Sequence, residues 1–403
     1  MKIGFLFTKV MDILCLKSIY EQCVKNKSMN TAVYIYSPLE NGITNIEIVE
    51  KLDEFRWPYR NLDKANATLS TNLLTFCSEI AVQKNLNSSL RRHLWRCCKA
   101  TSAVIGDNMD IVFAGNPYIQ DIYTLLYYSG IKLVYIPYAS SISGEKYSLQ
   151  LQYQLTIHKL AWKIYILDKF YEKFYITDEH RASNIVVINS TPKFDNVLHE
   201  VPRQNSIINA KVFLWNIHHS TAMLSENYQD GGDRKWSSFF IYKNILYNIF
   251  LQHTDLQLII RPHPNFYTNK YSFFLYEFDE FSNLNNVHID NSAKNTFITS
   301  FQKADVLITD LSSMMLDFLI TGKPIISLFN DKSCFLNEFA EGLFKTYTYQ
   351  VHDESCLENV IKDLAAGNDP LFSERRKLVQ GEGPFNLSKT AAELIIEDIL
   401  STC

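Results

Sequence analysis

The sequence predicts two doubly wound α/β domains, and three observations carry that expectation. The first is length: 403 residues exceed the size, about 250–300 residues, at which a single hydrophobic core stops growing. The second is composition, 47% hydrophobic and 20% charged, which supplies apolar surface for two cores and excludes a disordered chain. The third is pattern. Short β-rich runs alternate with helical periods from end to end, as in parallel sheets with crossover helices.

In the first half the strand candidates are KIGFLF, TAVYIY, DIVFAG, KLVYIPY and NIVVIN, and the stretch 147–174 between the last two reads as helical. The segment HEVPRQNSIINA (199–210) carries a proline and no period, so the domain boundary is placed there. Residues 1–204 then form the N-terminal domain, 205–385 the second, and 386–403 a closing helix. The second domain reads as strand KVFLWN, helix FFIYKNILYNIFLQH, strand LQLIIRPHP, short strand NVHID, strand DVLITD, helix SSMMLDFLITG and strand KPIISLF.

A net charge of −4 and a pI near 6.2 provide no positive field for nucleic acid, which is excluded as a partner. The eight cysteines form no CxxC and read as reduced core thiols of a cytoplasmic protein. No uncharged apolar run reaches the roughly 18 residues of a spanning helix, so membrane contact is peripheral at most. The basic run LRRHLWRCCK, Leu90 to Lys99, is the candidate for contact with anionic lipid at an inner membrane surface or with a polyanionic acceptor. A solvated helix face is the plainer reading. HExxH, DxD and His/Cys clusters at ligand spacing are absent, so no metal is expected. The absence of GxxxxGK[ST] and GxGxxG makes ATP hydrolysis and dinucleotide chemistry poor readings.

In open α/β sheets, ligands gather beyond the carboxyl ends of strands. Three polar clusters fall there: NIHHS after KVFLW, RPHP after LQLII, and TDLSS after DVL. Asp310, Ser312 and Ser313 stand at a strand–helix junction and suit a phosphate, although an N-cap and a strand-end acceptor explain them equally well. In RPHP two prolines hold His263, and Arg261 adds a permanent charge suited to a phosphorylated substrate. His218 and His219 are adjacent, so on an extended chain one faces the ligand and the other is structural.

With these residues in hand, the sequence resembles the CDP-glycerol glycerophosphotransferase family of teichoic-acid and capsule enzymes. The segments that carry the resemblance are KLVYIPYAS, LAWKIYILD, NIVVINSTPKFDNVL, KVFLWNIHHS with KWSSFFIYKN, LIIRPHP, and ADVLITDLSSMMLDFLITGKPIISL. It implies GT-B architecture, two Rossmann-like domains facing a cleft with the nucleotide donor on the second. It further implies that His263 acts near the transferred phosphate and that Asp310, Ser312 and Ser313 hold the pyrophosphate or its alcohol; beside them His218 or His219 is the further catalytic candidate, and Arg261, Trp215, Asn216 and Lys323 are the further donor-binding candidates. Tyr138, Ser140, Lys193 and Asp195 fall on the acceptor side.

Two departures stand out. The family's W-H-G-T-P segment, with its proposed basic histidine, is here IPYASS with Tyr138, and the glycine of G-x-P-K-F-D is replaced in Asn189–Asp195. The implied activity is transfer of a phospho-polyol, glycerol phosphate or ribitol phosphate, from a CDP-alcohol to a hydroxyl of a cell-surface glycan or lipid-linked acceptor, releasing CMP. No cofactor would be tightly bound. A GT-B glycosyltransferase that uses a nucleotide sugar in capsule or lipopolysaccharide synthesis is the alternative, and a catalytically silent assembly protein the third reading.

Overall fold

The computed structural model describes residues 1–37, 46–64, 88–144, 152–175, 184–218, 220–221, 236–267, 272–290, 297–331, 333 and 336–402. The chain forms two compact units, the first comprising Met1–Ser140, Gln150–Asn196 and Lys389–Cys403, the second Ser141–Leu149 and Val197–Ser388. The division thus falls between Asn196 and Val197 rather than near 204, and the closing helix belongs to the first unit.

The first unit runs β1 (Lys2–Phe7), α1 (Val10–Lys25), β2 (Asn30–Ile35), α2 (Ile46–Glu54), β3 (Arg60–Asn61), α3 (Ser88–Gly106), β4 (Ile111–Ala114), α4 (Gln120–Tyr128) and β5 (Lys132–Tyr135). It continues with α5 (Thr156–Leu160), β6 (Lys163–Ile166), α6 (Glu172–Tyr175), β7 (Ile185–Val187) and α7 (Pro192–Glu200), the last of which crosses the division. Among the described residues the seven strands are all parallel, in the order β3-β2-β1-β4-β5-β6-β7.

The stretch expected to be one long helix holds strand β6 instead. All four β6 residues, Lys163 to Ile166, are buried. A strand covered on both faces loses its polar alternation and cannot be told from a buried helix by period. Lys163 can be buried because its ammonium meets Asp398 and lies 5.1 Å from the Trp162 ring centre.

The second unit runs β8 (Val212–Asn216), α8 (Phe239–Gln252), β9 (Gln257–Arg261), β10 (Val287–Ile289), α9 (Ile298–Lys303), β11 (Val306–Thr309), α10 (Met314–Leu319), β12 (Ile325–Leu328), α11 (Glu338–Tyr347), β13 (Tyr349–Val351), α12 (Glu354–Ala365) and α13 (Phe372–Lys377). Its six parallel strands lie in the order β10-β9-β8-β11-β12-β13. The closing helix α14 (Ala391–Thr402) packs on the first unit, burying Ala391, Ala392, Ile395, Ile396 and Ile399 in that unit's core.

In both sheets strand order reverses once, between β1 and β4 and between β8 and β11. At such a switch point successive crossovers leave for opposite faces and open a crevice beyond the strand ends. One glycine keeps the second unit's outer loops close. Gly322 has φ +74°, and a Cβ there would stand 3.3 Å from Val379 Cγ1 and 3.4 Å from the Gln204 carbonyl, so the turn before Lys323 needs glycine.

Candidate functional site: the carboxyl edge of the second sheet

Parallel register aligns the strand ends of the second unit. Asn216 is paired with Arg261 on one side and Thr309 on the other, and Thr309 with Ser327. One residue earlier the aligned set is Ile260, Trp215, Ile308 and Ile326. Side chains alternate between the faces of a sheet, so the polar row and the apolar row lie on opposite faces.

That alternation corrects several expectations. Trp215 belongs to the apolar row, is fully buried, and stacks on Phe239 at 5.3 Å with rings 12° apart, so it is a core residue rather than a donor ligand. Asn216 is buried too, with its amide 3.4 Å from Thr309 Oγ1. Arg261 is 3% exposed, and its guanidinium is taken up by Asp290 Oδ2 at 2.5 Å and Ser300 Oγ at 3.1 Å. A buried guanidinium needs such a partner, which removes Arg261 from the ligand set. Lys323 donates to the carbonyls of Phe301 and Ala304 at 2.9 and 2.7 Å, capping the end of α9. Burial lowers its pKa.

Asp310, directly beyond β11, is fully buried and organises the crevice. Its carboxylate accepts the backbone N–H of His218 at 3.1 Å, the Ser237 hydroxyl at 2.8 Å and the backbone N–H of Ser238 at 2.9 Å. These bonds tie the turn after β8 to Ser237 and Ser238, the two residues leading into α8, near whose N-terminus a carboxylate is favoured. Burial, opposed by these hydrogen bonds, raises the carboxyl pKa to about 6. Its oxygens are engaged within the protein, which holds the turn after β8 to the residues before α8. Thr221 and Ser237 share a hydrogen bond of 2.7 Å, and Asn330, beyond β12, donates to Ser238 Oγ at 3.0 Å. Ser237, Ser238, Thr221 and Asn330 were not among the expected site residues, although the serines lie in KWSSFFIYKN.

Two histidines stand at matching levels, each two residues beyond the paired Asn216 and Arg261. Both are half-buried. His218 Nδ1 receives the Ser220 N–H at 3.3 Å and lies 2.9 Å from Ser220 Oγ, and its ring lies over Trp236 at 5.9 Å. His263 Nδ1 receives the Asn265 N–H at 3.1 Å. A ring nitrogen that accepts is unprotonated, so these bonds assign the proton of each neutral imidazole to Nε2. His219 lies outside the described residues. Ser312 and Ser313 are half-buried at the start of α10, with Ser312 Oγ accepting from Met314 N at 3.3 Å.

On the first unit Tyr138 is half-buried, its hydroxyl 3.4 Å from that of Tyr118, and burial pushes its phenol pKa up. Ser140 is half-buried and ends that unit's first segment. Lys193 is buried. Asp195 caps α14, accepting from Ala391 N at 2.7 Å and Ala392 N at 3.0 Å, a bond set that gives it a structural role in place of the expected acceptor one. The switch point of the first sheet holds a second buried aspartate, Asp12, which accepts from Thr8 N, Thr8 Oγ1 and Lys9 N at 2.7–2.9 Å. Asn116 joins it through Thr8 Oγ1 at 2.7 Å.

Of the basic run on α3, Leu90, Arg91, Arg92 and Trp95 are exposed, while Arg96 turns inward to Asp63 at 2.8 Å. Among the described residues no helix is long and apolar enough to cross a membrane. Cys15, Cys23, Cys97 and Cys356 carry free thiols, but Cys98 is disulfide-bonded, against the expectation of reduced thiols throughout.

The fold is that of GT-B-type proteins, with polar side chains gathered at the switch point of the second sheet. Residues 239–343 match the family described as CDP-Glycerol:Poly(glycerophosphate) glycerophosphotransferase, which bears out the resemblance over the stretch holding His263, Asp310, Ser312 and Ser313. The solved UDP-GlcNAc 2-epimerase from Neisseria meningitidis, bound to UDP-GlcNAc, superimposes with TM-score 0.62 at 14% identity over 100% of both chains. The S. aureus MnaA–UDP structure gives 0.60 at 13% identity, over 99% of this chain and 95% of that one. HepE from Anabaena, in complex with UDP and glucose, gives 0.56 at 12% identity over 100% of both. At these identities the likeness establishes the fold. No curated protein sequence matches the chain.

Proposed function

We propose that this protein transfers a phospho-polyol, glycerol phosphate or ribitol phosphate, from a CDP-alcohol to a hydroxyl of a cell-surface glycan or lipid-linked acceptor, releasing CMP. The observation that carries the reading is the match of residues 239–343 to the glycerophosphotransferase family, across the strand ends that hold RPHP and TDLSS.

In the reaction the acceptor oxygen bonds to the polyol-bearing phosphorus, the bond from that phosphorus to the CMP oxygen breaks, CMP leaves, and the proton of the acceptor hydroxyl passes to solvent. Transition states of this kind are loose, so positioning and charge stabilisation outrank deprotonation of the hydroxyl. That suits these tautomers: an imidazole that accepts at Nδ1 carries its proton on Nε2, the donor type a phosphate oxygen calls for. We assign His263 and His218 this role, with the Ser312 and Ser313 hydroxyls as further phosphate donors and Asp310 holding the His218 turn. Tyr138 and Ser140 are the acceptor-side candidates. The protein would work in the cytoplasm, with the exposed face of α3 at the inner membrane surface.

A second reading keeps the fold and changes the donor to a nucleotide sugar, as in a glycosyltransferase of capsule or lipopolysaccharide synthesis. The structures bound to UDP-GlcNAc and to UDP with glucose favour it. Incubating the pure protein with CDP-glycerol, CDP-ribitol and a panel of nucleotide sugars, and following release of CMP or UDP, separates the two. Turnover of a sugar nucleotide alone would sink the phospho-polyol reading. Calorimetry that detects no donor binding would favour an assembly protein.

A further inference from the structure

Outside the strand-end clusters described above, three groups of metal-binding chemistry converge on the first unit. His93 and Cys97 stand four residues apart on α3 and therefore share one helix face. Asp121 joins them from the first turn of α4. His93 Nε2 lies 2.8 Å from Asp121 Oδ2 and 3.6 Å from Cys97 Sγ, and all three ligand atoms fall within 4.8 Å of one another. Metal–sulfur and metal–nitrogen bonds of about 2.3 and 2.0–2.1 Å at tetrahedral angles place sulfur about 3.5 Å from nitrogen. The Cys97–His93 separation already has that length.

The plainer account is a His93–Asp121 ion pair above a buried thiol. In that account the Nε2 proton serves Asp121 and leaves Cys97 Sγ facing a protonated nitrogen. A cation among the three atoms uses a lone pair from each. Burial is graded to match: Cys97 is enclosed, His93 half-buried and Asp121 exposed, so water reaches the carboxylate side and can complete the coordination. The Tyr36 hydroxyl, 3.4 Å from Cys97 Sγ, can hydrogen-bond a coordinated thiolate.

We propose that His93, Cys97 and Asp121 bind one Zn²⁺-class divalent cation. Thiolate with imidazole selects such an ion over Mg²⁺ or Ca²⁺. On binding, the Cys97 S–H bond breaks, a sulfur–metal bond forms and the proton passes to solvent. His93 binds through Nε2 with its proton on Nδ1, and nothing is oxidised. The ion fastens α3 to the start of α4, which is the far end of the 115–119 segment carrying Asn116 and Tyr118 out of β4. Its role is to brace that segment. No ligand cluster was visible in the sequence because Asp121 is 24 positions beyond Cys97.

The test uses the full chain, stripped with a chelator and titrated with ZnCl₂ by calorimetry, and separately with CoCl₂ by absorption. One equivalent of Zn²⁺ is expected, with a higher unfolding midpoint, and Co²⁺ should give a sulfur-to-cobalt charge-transfer band that Cys97→Ser abolishes. Because Asp121 is exposed, Asp121→Asn keeps the fold, checked by circular dichroism, and should weaken Zn²⁺ at least tenfold. Absence of Zn²⁺ binding, a cobalt–thiolate band that survives Cys97→Ser, or unchanged affinity in Asp121→Asn overturns the proposal.

Discussion

Asp310 holds His218 in place: its Oδ2, fully buried beyond β11, accepts the His218 backbone N–H at 3.1 Å while Oδ1 accepts Ser238 N at 2.9 Å. One carboxylate therefore sets the turn after β8 and the start of α8 together.

This burial has a pH signature. The Asp310 pKa is raised from 3.8 to about 6, so between those values the unfolded chain ionises while the folded chain keeps the proton. Stability from this group is fully present below 3.8 and is lost as pH rises through about 6. Asp310→Asn cannot ionise. Urea unfolding from pH 3 to 8 should show wild type losing stability relative to the variant, on the order of 3 kcal/mol by the relation of one pKa unit to 1.36 kcal/mol, with no further change above the window. Asp12 and Asp195, also raised to about 6, share the window in both proteins, so only the difference is diagnostic.

His263 tests donor against base. Removing a preorganised donor to developing charge costs about 10²–10³ in turnover. His263→Ala should lose that much CMP release, whereas His263→Gln, which keeps an N–H donor, should recover at least about tenfold of it. Equal loss in both variants would assign the histidine to proton abstraction.

Trp215 reports on the core. Its ring fills the space against Phe239 and Phe281, at 5.3 and 6.0 Å. Trp215→Ala should lower unfolding free energy by about 3–5 kcal/mol. In molecules that remain folded, calorimetry should give a donor affinity close to wild type.

Arg261 distinguishes a buried ion pair from a phosphate ligand. Arg261→Met leaves Asp290 buried without its guanidinium and should cost about 3–5 kcal/mol in chemical denaturation. Adding Asp290→Leu removes the stranded carboxylate and should restore most of that loss. A phosphate-binding arginine would show no such rescue.

Much of the fold was legible because strands announce themselves as short β-branched and aromatic runs bounded by turn residues. KIGFLF, DIVFAG, KVFLW and DVLIT all lie where expected. Strand β6 was not legible, because its apolar period is shared with a buried helix, nor was the three-residue β13, which is too short to show a period. The strand-end clusters holding His218, His263, Ser312 and Ser313 were visible as polar breaks after apolar runs. The duties of Arg261, Asp310, Lys323 and Asp195 were not. Each is met by a partner distant in sequence: Asp290, Ser237 and Ser238, the end of α9, and the start of α14.

The sequence by itself determined the α/β class, the two-domain organisation and the strand ends that line the crevice, since composition and period are local properties of the chain. Only tertiary structure decided which polar residues at those ends remain available for chemistry. A charged group enclosed away from water must find a partner, and whether it is enclosed depends on the register of neighbouring strands and the helix above them. That is why Trp215 and Arg261, neighbours of the histidines in sequence and register, are spent on the core while His218 and His263 stand at the edge.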